Sequence, residues 1–173
     1  MQLGILQNFP NAGKVVETIK EAIEKARTNN IPVIYVRLFF RPGLPEISPN
    51  NKMFEAFKQQ LATIPMETYS QIHPELAPKE NEIIVHKKRV SGFTGSDLEL
   101  VLRSLGINHL VLTGVATSGV VLSTLREAVD KDYTVTVLHD CCGDRDEEVH
   151  RVLTTKVYPR QTTVVSVSEW SPQ

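Results

Sequence analysis

The stretch VLTGVATSGVVLSTLREAV, from Val111 to Val129, constrains the fold of this chain more than any other segment. An apolar run, a turn of small residues and apolar residues at helical spacing together predict a buried strand, a tight turn and an amphipathic helix. Such a turn places backbone N–H groups and a helix N-terminus at the carboxyl end of a strand. Because open parallel sheets bind ligands at that edge, the turn is the first candidate for a functional site.

The rest of the chain alternates between strand and helix patterns, which predicts an α/β domain with a parallel sheet and right-handed crossovers. Residues 1–10 read as a loop with apolar anchors, Asn11 as a helix cap, and residues 62–81 as a long surface connection. Ser96-Asp97-Leu98-Glu99 has the pattern of a capping box. The predicted helices lie near Val15–Ala26, Lys52–Leu61, Leu98–Leu105, Leu122–Val129 and Asp146–Lys156. The predicted strands are Ile31–Phe40 (buried on both faces), Glu82–His86, His109–Gly114, Tyr133–Leu138 (ended by Asp140) and Thr162–Val167.

Size and charge narrow the class of protein. A chain of 173 residues is most simply one domain, residues 1–173, with room for a real core. The net charge of −1 gives no electrostatic reason to expect nucleic acid or an acidic membrane as a partner. The start of the chain does not resemble a signal peptide, and no apolar run approaches the ~20 residues of a membrane span. We therefore expect a cytoplasmic protein.

Three basic residues follow the strand predicted to end at His86. Lys87, Lys88 and Arg89 precede the segment VSGFTG, so at least one could point into the crevice at the carboxyl end of the sheet. A lysine there could hold a substrate carboxylate or stabilise developing negative charge. The alternative is a set of solvated loop charges.

The turn itself offers hydroxyl groups but no evident base to activate them. Thr117, Ser118 and Ser123 are available as nucleophiles near a helix N-terminus, and Thr117 or Ser118 could instead simply cap the helix. Adjacent Cys141 and Cys142 could border the same crevice, although buried cysteine is more often an inert small hydrophobe. The five histidines are scattered and show no zinc-type spacing. Neither G-x-G-x-x-G nor a P-loop is present, so no cofactor is expected.

Taken in order, these pieces resemble the isochorismatase-like hydrolases, also called the cysteine hydrolase family. The resemblance covers nearly the whole chain and rests on KKRVSGFTGSDLELVLRSLGINHLVLTGVATSGVVLSTLREAV and TVTVLHDCCGDRDEEVHRVL. It implies a three-layer α/β/α sandwich around a mainly parallel, Rossmann-like sheet, and assembly into homo-oligomers. It also implies that Lys87 is the catalytic lysine and that the Val115–Ala116 peptide bond is cis.

The departures from the family pattern concern its other catalytic residues. The T-x-x-C motif reads Thr117-Ser118-Gly119-Val120, so Val120 stands at the position of the nucleophile. The D-x-Q motif remains only as Met1-Gln2, which implies that the first strand and its aspartate are missing. We expect a shortened version of a protein in which aspartate precedes Met1, and a true short form is the alternative. The D-x-H pattern of zinc-binding members is also replaced, so no metal is expected.

Two functions follow from this resemblance. The first is a small-molecule hydrolase that does not use a cysteine nucleophile and is impaired or inactive as the chain stands. Isochorismatases proper also lack that cysteine and hydrolyse a vinyl ether with an aspartate as proton donor. The second is a non-catalytic binding or assembly protein, with a cradle for a ligand formed by Val115, Ala116, Thr117, Ser118 and Gly119.

Overall fold

A computed structural model describes residues 1–172 of the chain. Seven α-helices lie within these residues: α1 (Leu3–Leu6), α2 (Ala12–Thr28), α3 (Lys52–Thr63), α4 (Met66–Tyr69), α5 (Leu98–Ser104), α6 (Leu122–Asp130) and α7 (Glu147–Val152). Five strands are present in the same range: β1 (Ile34–Leu38), β2 (Ile83–Lys87), β3 (His109–Val115), β4 (Thr134–Gly143) and β5 (Thr163–Val165). A π-helical turn, Thr117–Val121, leads into α6. Among residues 1–172, no helix is long and apolar enough to cross a lipid bilayer.

All strand pairs are parallel, which confirms the predicted α/β class. The strands nevertheless form two sheets instead of one: β1 pairs with β2, and β3, β4 and β5 follow one another in the second sheet. Strand β1 therefore has a strand neighbour on one edge, and so does β3.

Helix α2 forms where apolar spacing predicts a helix, and that prediction is confirmed. Its buried face is Val15, Val16, Ile19, Ala22 and Ala26, which packs in one core cluster with Leu138 and Cys141 of β4. Asn11 occupies the predicted N-cap position, but it caps the helix only through its backbone carbonyl, which accepts the Val15 N–H at 3.2 Å. The Asn11 side chain donates to Glu147 Oε1 at 2.9 Å and makes no bond to the helix N-terminus.

The first and fourth strands differ from the prediction in length and burial. β1 is half as long as the apolar run Ile31–Phe40, and four of its five residues are only half-buried. Phe40 leaves the strand to pack edge-on against Phe54 at 5.7 Å between ring centroids. β4 continues past Asp140 to Gly143 because its last residues still pair with the end of β3. The Asp140 side chain does not compete with this pairing, since both of its carboxylate oxygens accept the Val167 backbone N–H.

Two predicted loops contain short helices. The Gln2 side chain donates to the Leu38 carbonyl at 2.9 Å and accepts the Leu38 N–H at 2.7 Å, and α1 begins at the next residue. The connection over residues 62–81 contains the end of α3, then α4 and a 3₁₀ turn, Pro74–Leu76. The chain start is therefore fixed to the end of β1 rather than loosely anchored.

The predicted capping box at the start of α5 is wrong in its details. The N-cap residue is Asp97, which makes no side-chain capping bond. Ser96 Oγ instead accepts the Leu98 N–H at 3.1 Å. Glu99 does not bond back to the helix start, because it pairs with Lys131 at 2.6 Å.

Candidate active site

A cavity of about 590 Å³ opens at the carboxyl ends of β1, β2 and β3. We call it the upper cavity. The residues that matter most for its chemistry are Met1, Gln2, Lys87, Val115, Val120 and Asp144. Its position agrees with the rule that open parallel sheets bind ligands beyond the carboxyl ends of their strands. The structure therefore brings the predicted lysine and the predicted turn to one place.

Lys87 is the last residue of β2, and its side chain lies inside the protein. It is 7% exposed, and its ammonium donates to the carbonyls of Arg89 at 2.7 Å and Val90 at 3.2 Å. Burial lowers the pKa of Lys87 from 10.5 to about 8. Near neutral pH the side chain is thus a buried cation held by two carbonyl dipoles, which suits it to attract an anionic group.

The chain N-terminus lies near this lysine. Burial of the amine, followed by the charge of Lys87, lowers the pKa of the Met1 amine to about 6. Two nitrogen groups therefore share the upper cavity. The carboxylate of Asp144 lines it as well, but both of its oxygens accept backbone N–H groups, those of Ser118 at 2.7 Å and Arg145 at 2.9 Å. Asp144 is therefore placed to hold the turn in position.

The other two members of the basic trio lie outside the upper cavity. The Lys88 ammonium donates to the Phe39 carbonyl, and Arg89 donates to the Lys88 carbonyl at 2.7 Å. Because β2 ends at Lys87, the directions of Lys88 and Arg89 are set by these backbone hydrogen bonds and not by the strand. Of the three residues, Lys87 alone lines this cavity.

The turn after β3 has the unusual backbone that the resemblance implies. The Val115–Ala116 peptide bond is cis, as predicted. Gly114, with φ +122°, lies at a shift in the register between β3 and β4, a conformation that L side chains rarely adopt. Gly119 donates its N–H to the Ala116 carbonyl at 3.1 Å. The turn is thereby folded tightly over one wall of the cavity.

The residues of the turn divide between the cavity and the core. Val115, Ala116, Ser118, Gly119 and Val120 line the upper cavity. Val120 also packs against the core cluster beneath α6, and an aliphatic side chain there offers no nucleophile.

Thr117 faces away from the cavity and is fully buried. Its hydroxyl bonds to His150 Nδ1 at 2.8 Å, and its carbonyl accepts the Tyr158 hydroxyl at 2.6 Å. The capping alternative for Thr117 and Ser118 is wrong, because neither helical segment after the turn has a side-chain cap. Thr117 connects the turn to the last helical segment of the chain.

The two cysteines lie in β4 and do not line the upper cavity. Burial raises the pKa of the Cys141 thiol to about 12 and raises the pKa of Cys142 further. The Cys141 thiol donates to the Thr18 carbonyl at 3.3 Å. Because the thiolate is the reactive form, these residues behave as core residues. Within residues 1–172, no three His, Cys, Asp or Glu side chains are grouped so that they could hold a metal ion.

Asp144 and Arg145 line the cavity but were not identified from the sequence. They directly follow β4, so the carboxyl-end rule could have found them. The prediction ended that strand at Asp140 and therefore missed them.

Fold and site together define an α/β protein with a small-molecule cavity at the carboxyl ends of parallel strands. The Isochorismatase domain matches residues 1–169, and the chain belongs to the isochorismatase family.

Individual relatives agree with this assignment. The chain is 37% identical to the ureidoacrylate amidohydrolase of Caulobacter vibrioides over 145 residues, which are 77% of this chain and 64% of that protein. It is 29% identical to an N-carbamoylsarcosine amidase of Arthrobacter over 137 residues, which are 79% of this chain and 52% of that protein. The chain thus spans between half and two thirds of the length of these relatives.

Solved structures give the same fold. An isochorismatase-like hydrolase from Alkaliphilus metalliredigens matches with a TM-score of 0.80 and 29% identity, over 93% of this chain and 85% of that one. A cysteine hydrolase from Pseudomonas syringae pv. phaseolicola matches with a TM-score of 0.84 and 24% identity, over 93% and 80%. The second likeness concerns the fold alone.

Proposed function

We propose that this chain is a small-molecule hydrolase of the isochorismatase family that uses Lys87 and no cysteine nucleophile. The observation that carries the proposal is the buried Lys87 ammonium in the same cavity as a turn that presents Val120 where the family motif has cysteine. Two relatives are an amidohydrolase and an amidase, which supports hydrolysis of a small molecule as the reaction class.

In this mechanism Lys87 binds the negatively charged part of the substrate and stabilises the charge that develops in the transition state. A fixed cation in a water-poor site does this well, because no solvent has to reorganise during the reaction. A carboxylic acid beside Lys87 donates a proton to the leaving group, and water completes the hydrolysis. The family resemblance implies an aspartate in this role, and Asp144 is a positioning residue for the turn, because both of its carboxylate oxygens accept backbone N–H groups there.

The test compares Lys87→Met with Lys88→Met, because the two lysines are adjacent and only Lys87 lines the cavity. Turnover of isochorismate, nicotinamide, ureidoacrylate and N-carbamoylsarcosine is measured for the chain as it stands and for a version with aspartate before Met1. Loss of one fixed charge-stabilising group predicts a fall in kcat of about 100-fold or more in Lys87→Met. Lys88→Met is expected to stay within about twofold.

A further variant addresses the role of residue 120. Val120→Ala leaves turnover nearly unchanged if no nucleophile acts from that position. Equal turnover in Lys87→Met and the parent protein would contradict the mechanism. Circular dichroism spectra of each variant establish that an inactive protein is still folded.

The second candidate function is a non-catalytic binding protein on the same fold. It is favoured because both charged side chains of the upper cavity already bond to backbone groups. The Lys87 ammonium bonds to two carbonyls, and the Asp144 carboxylate bonds to two N–H groups. Saturable binding of a substrate-like anion, lost in Lys87→Met and without turnover in either form, would support this function over hydrolysis. A cytoplasmic location and a homo-oligomeric state remain predictions, and light scattering measures the latter.

A further inference from the structure

Basic and aromatic side chains lie together on the face of the two-stranded sheet that is turned away from the upper cavity. Leu38 and Lys87 line that cavity. Arg37 and His86 directly precede them in β1 and β2, so their side chains point to the opposite face. Arg37 and His86 are also partners in the register of the two parallel strands. This face is therefore separate from the candidate active site.

Four side chains form what we call the basic patch: Arg37, Phe39, His86 and Lys88. The rings of Phe39 and His86 are stacked, with their centroids 4.7 Å apart. The Arg37 guanidinium carbon lies 5.2 Å from the Phe39 ring centroid, and the Lys88 ammonium nitrogen lies 5.7 Å from it. Two cations therefore lie beside one aromatic stack.

Both cations of the basic patch keep N–H groups for a ligand. Arg37 Nε donates to His86 Nε2 at 3.0 Å, which fixes the orientation of the guanidinium. The terminal Nη1 and Nη2 groups of Arg37 make no hydrogen bond within residues 1–172. The Lys88 ammonium donates to the Phe39 carbonyl, which leaves two of its three protons. The basic patch thus offers donors, whereas its one side-chain acceptor, His86 Nε2, is occupied.

The positive charge of the basic patch is not balanced by an ion pair. Arg37 and Lys88 are half-buried, and burial lowers the pKa of each. Three carboxylates act on the patch from outside it, those of Glu46, Glu67 and Asp97. Glu46 is already bound to Arg41 at 2.7 Å, and the other two are exposed and form no ion pair with the patch in the part of the chain described. Because partly desolvated cations are usually paired, an anion from solution would supply the missing partner.

The two cations together favour a doubly charged oxyanion. The terminal groups of a guanidinium form a planar fork that matches two oxygens of a phosphate, and an ammonium adds a point charge on a third. A phosphate monoester has about −1.5 to −2 charges at neutral pH, whereas a carboxylate has one charge and two oxygens. Phosphate therefore matches both the charge and the number of donors.

We propose that the basic patch is a binding site for a phosphate dianion, either inorganic phosphate or the phosphate group of a monoester. The Arg37 fork and the Lys88 ammonium bind its oxygens, and His86 is a positioning residue that holds the fork in place. The patch lies outside the upper cavity, and binding is measured without a hydrolase substrate. This proposal and the proposed hydrolase function therefore fail independently.

The experiment titrates the protein with inorganic phosphate at pH 7.5 and constant ionic strength. Backbone amide chemical shifts from two-dimensional NMR spectra locate the site in the protein. We expect saturable changes in β1 and β2 around Arg37 and His86, with an affinity in the millimolar range. Acetate, with one charge, is expected to bind about tenfold more weakly or worse.

Phenyl phosphate distinguishes the two sources of the anion. Binding of phenyl phosphate at least as tight as that of inorganic phosphate would assign the patch to phosphate esters. Binding of inorganic phosphate alone would assign it to the free ion, because the ester is then excluded by its ring.

Variants of the patch test the role of each side chain. Arg37→Gln and Lys88→Met each remove one charge-assisted contact and are expected to weaken phosphate binding about tenfold. Arg160→Gln, at an exposed position outside the patch, is the matched control and should bind as the parent does. His86→Phe keeps a ring against Phe39 but removes the acceptor that holds Arg37, so we expect an intermediate loss.

Several results would overturn the proposal. Equal binding of acetate and phosphate would show general attraction of counter-ions. Unchanged phosphate affinity in both Arg37→Gln and Lys88→Met would place the anion elsewhere. A lack of shifts in β1 and β2 at tens of millimolar phosphate would exclude the site. The comparison of anions uses the unaltered protein, so it does not depend on the folding of any variant.

Discussion

The three-stranded and the two-stranded sheet contain similar residues but differ in how they are buried. In β4 the run from Val135 to Leu138 is buried throughout, with Val137 at 0% exposure. In β1 the equally apolar run around Val36 is mostly half-buried. β4 has a strand on each edge, whereas β1 has one strand neighbour and borders the upper cavity. Burial in a sheet thus depends on the neighbours of a strand as much as on its composition.

The largest expected effect concerns the charge buried at the end of the two-stranded sheet. The pKa of Lys87 is about 8 in the folded protein and near 10.5 when the chain is unfolded. Between these pH values the unfolded state binds more protons, so the free energy of unfolding rises with pH across that window. From the pKa difference we expect a rise of about 3 kcal/mol between pH 7.5 and 10.5.

Denaturant unfolding at a series of pH values measures this effect in the parent protein and in Lys87→Met. The difference in stability between the two should change by the expected amount, because the variant lacks the titrating group. Lys14→Met, at an exposed position, is the matched control and should show no such change. A pH-independent difference between Lys87→Met and the parent would contradict the prediction.

The next effect on stability compares the two sheets by making the same valine-to-alanine substitution in each. Val137→Ala removes two methyl groups from a fully buried site, and we expect it to lower the free energy of unfolding by about 2–3 kcal/mol. Val36→Ala removes the same atoms beside the upper cavity, where the expected cost is below about 1 kcal/mol. Urea unfolding of both variants measures the difference. Equal costs would show that β1 is as well packed as β4.

The smallest expected effect on stability concerns an ion pair between α2 and the residue that precedes β2. Arg27 of α2 donates two bonds of 2.9 Å to Glu82, which directly precedes β2. Both side chains are largely buried, and we expect Glu82→Gln to lower stability by about 1–2 kcal/mol. Glu75→Gln, in a pair with Lys20 that is 54% exposed on each side, should cost less than about 0.5 kcal/mol.

Acid unfolding provides a second measurement of the same pair. The hydrogen bonds from Arg27 hold the pKa of Glu82 below its usual range. The stabilisation is therefore present above the unfolded-state pKa and is lost as pH falls through the lower folded-state value. The stability of Glu82→Gln should converge on that of the parent at low pH. Persistence of the full difference in acid would contradict the assignment to the ion pair.

Two features of the site could be anticipated from the family resemblance, but several element limits could not. The resemblance implied the cis bond at Val115–Ala116, which the structure has, and singled out Lys87, which lines the upper cavity. The end of β4 was misplaced because the partner of Asp140 is 27 positions away along the chain. The start of α1 was missed because it depends on the bonds between Gln2 and Leu38.

The two buried cysteines allow local opening of the protein to be measured by alkylation of their thiols. Both thiols belong to β4, and the sheet formed by β1 and β2 contains no cysteine. Burial keeps the thiols protonated and inaccessible to an alkylating reagent, so modification requires the structure around β4 to open. The rate of alkylation therefore reports every opening that exposes β4, without any engineered label.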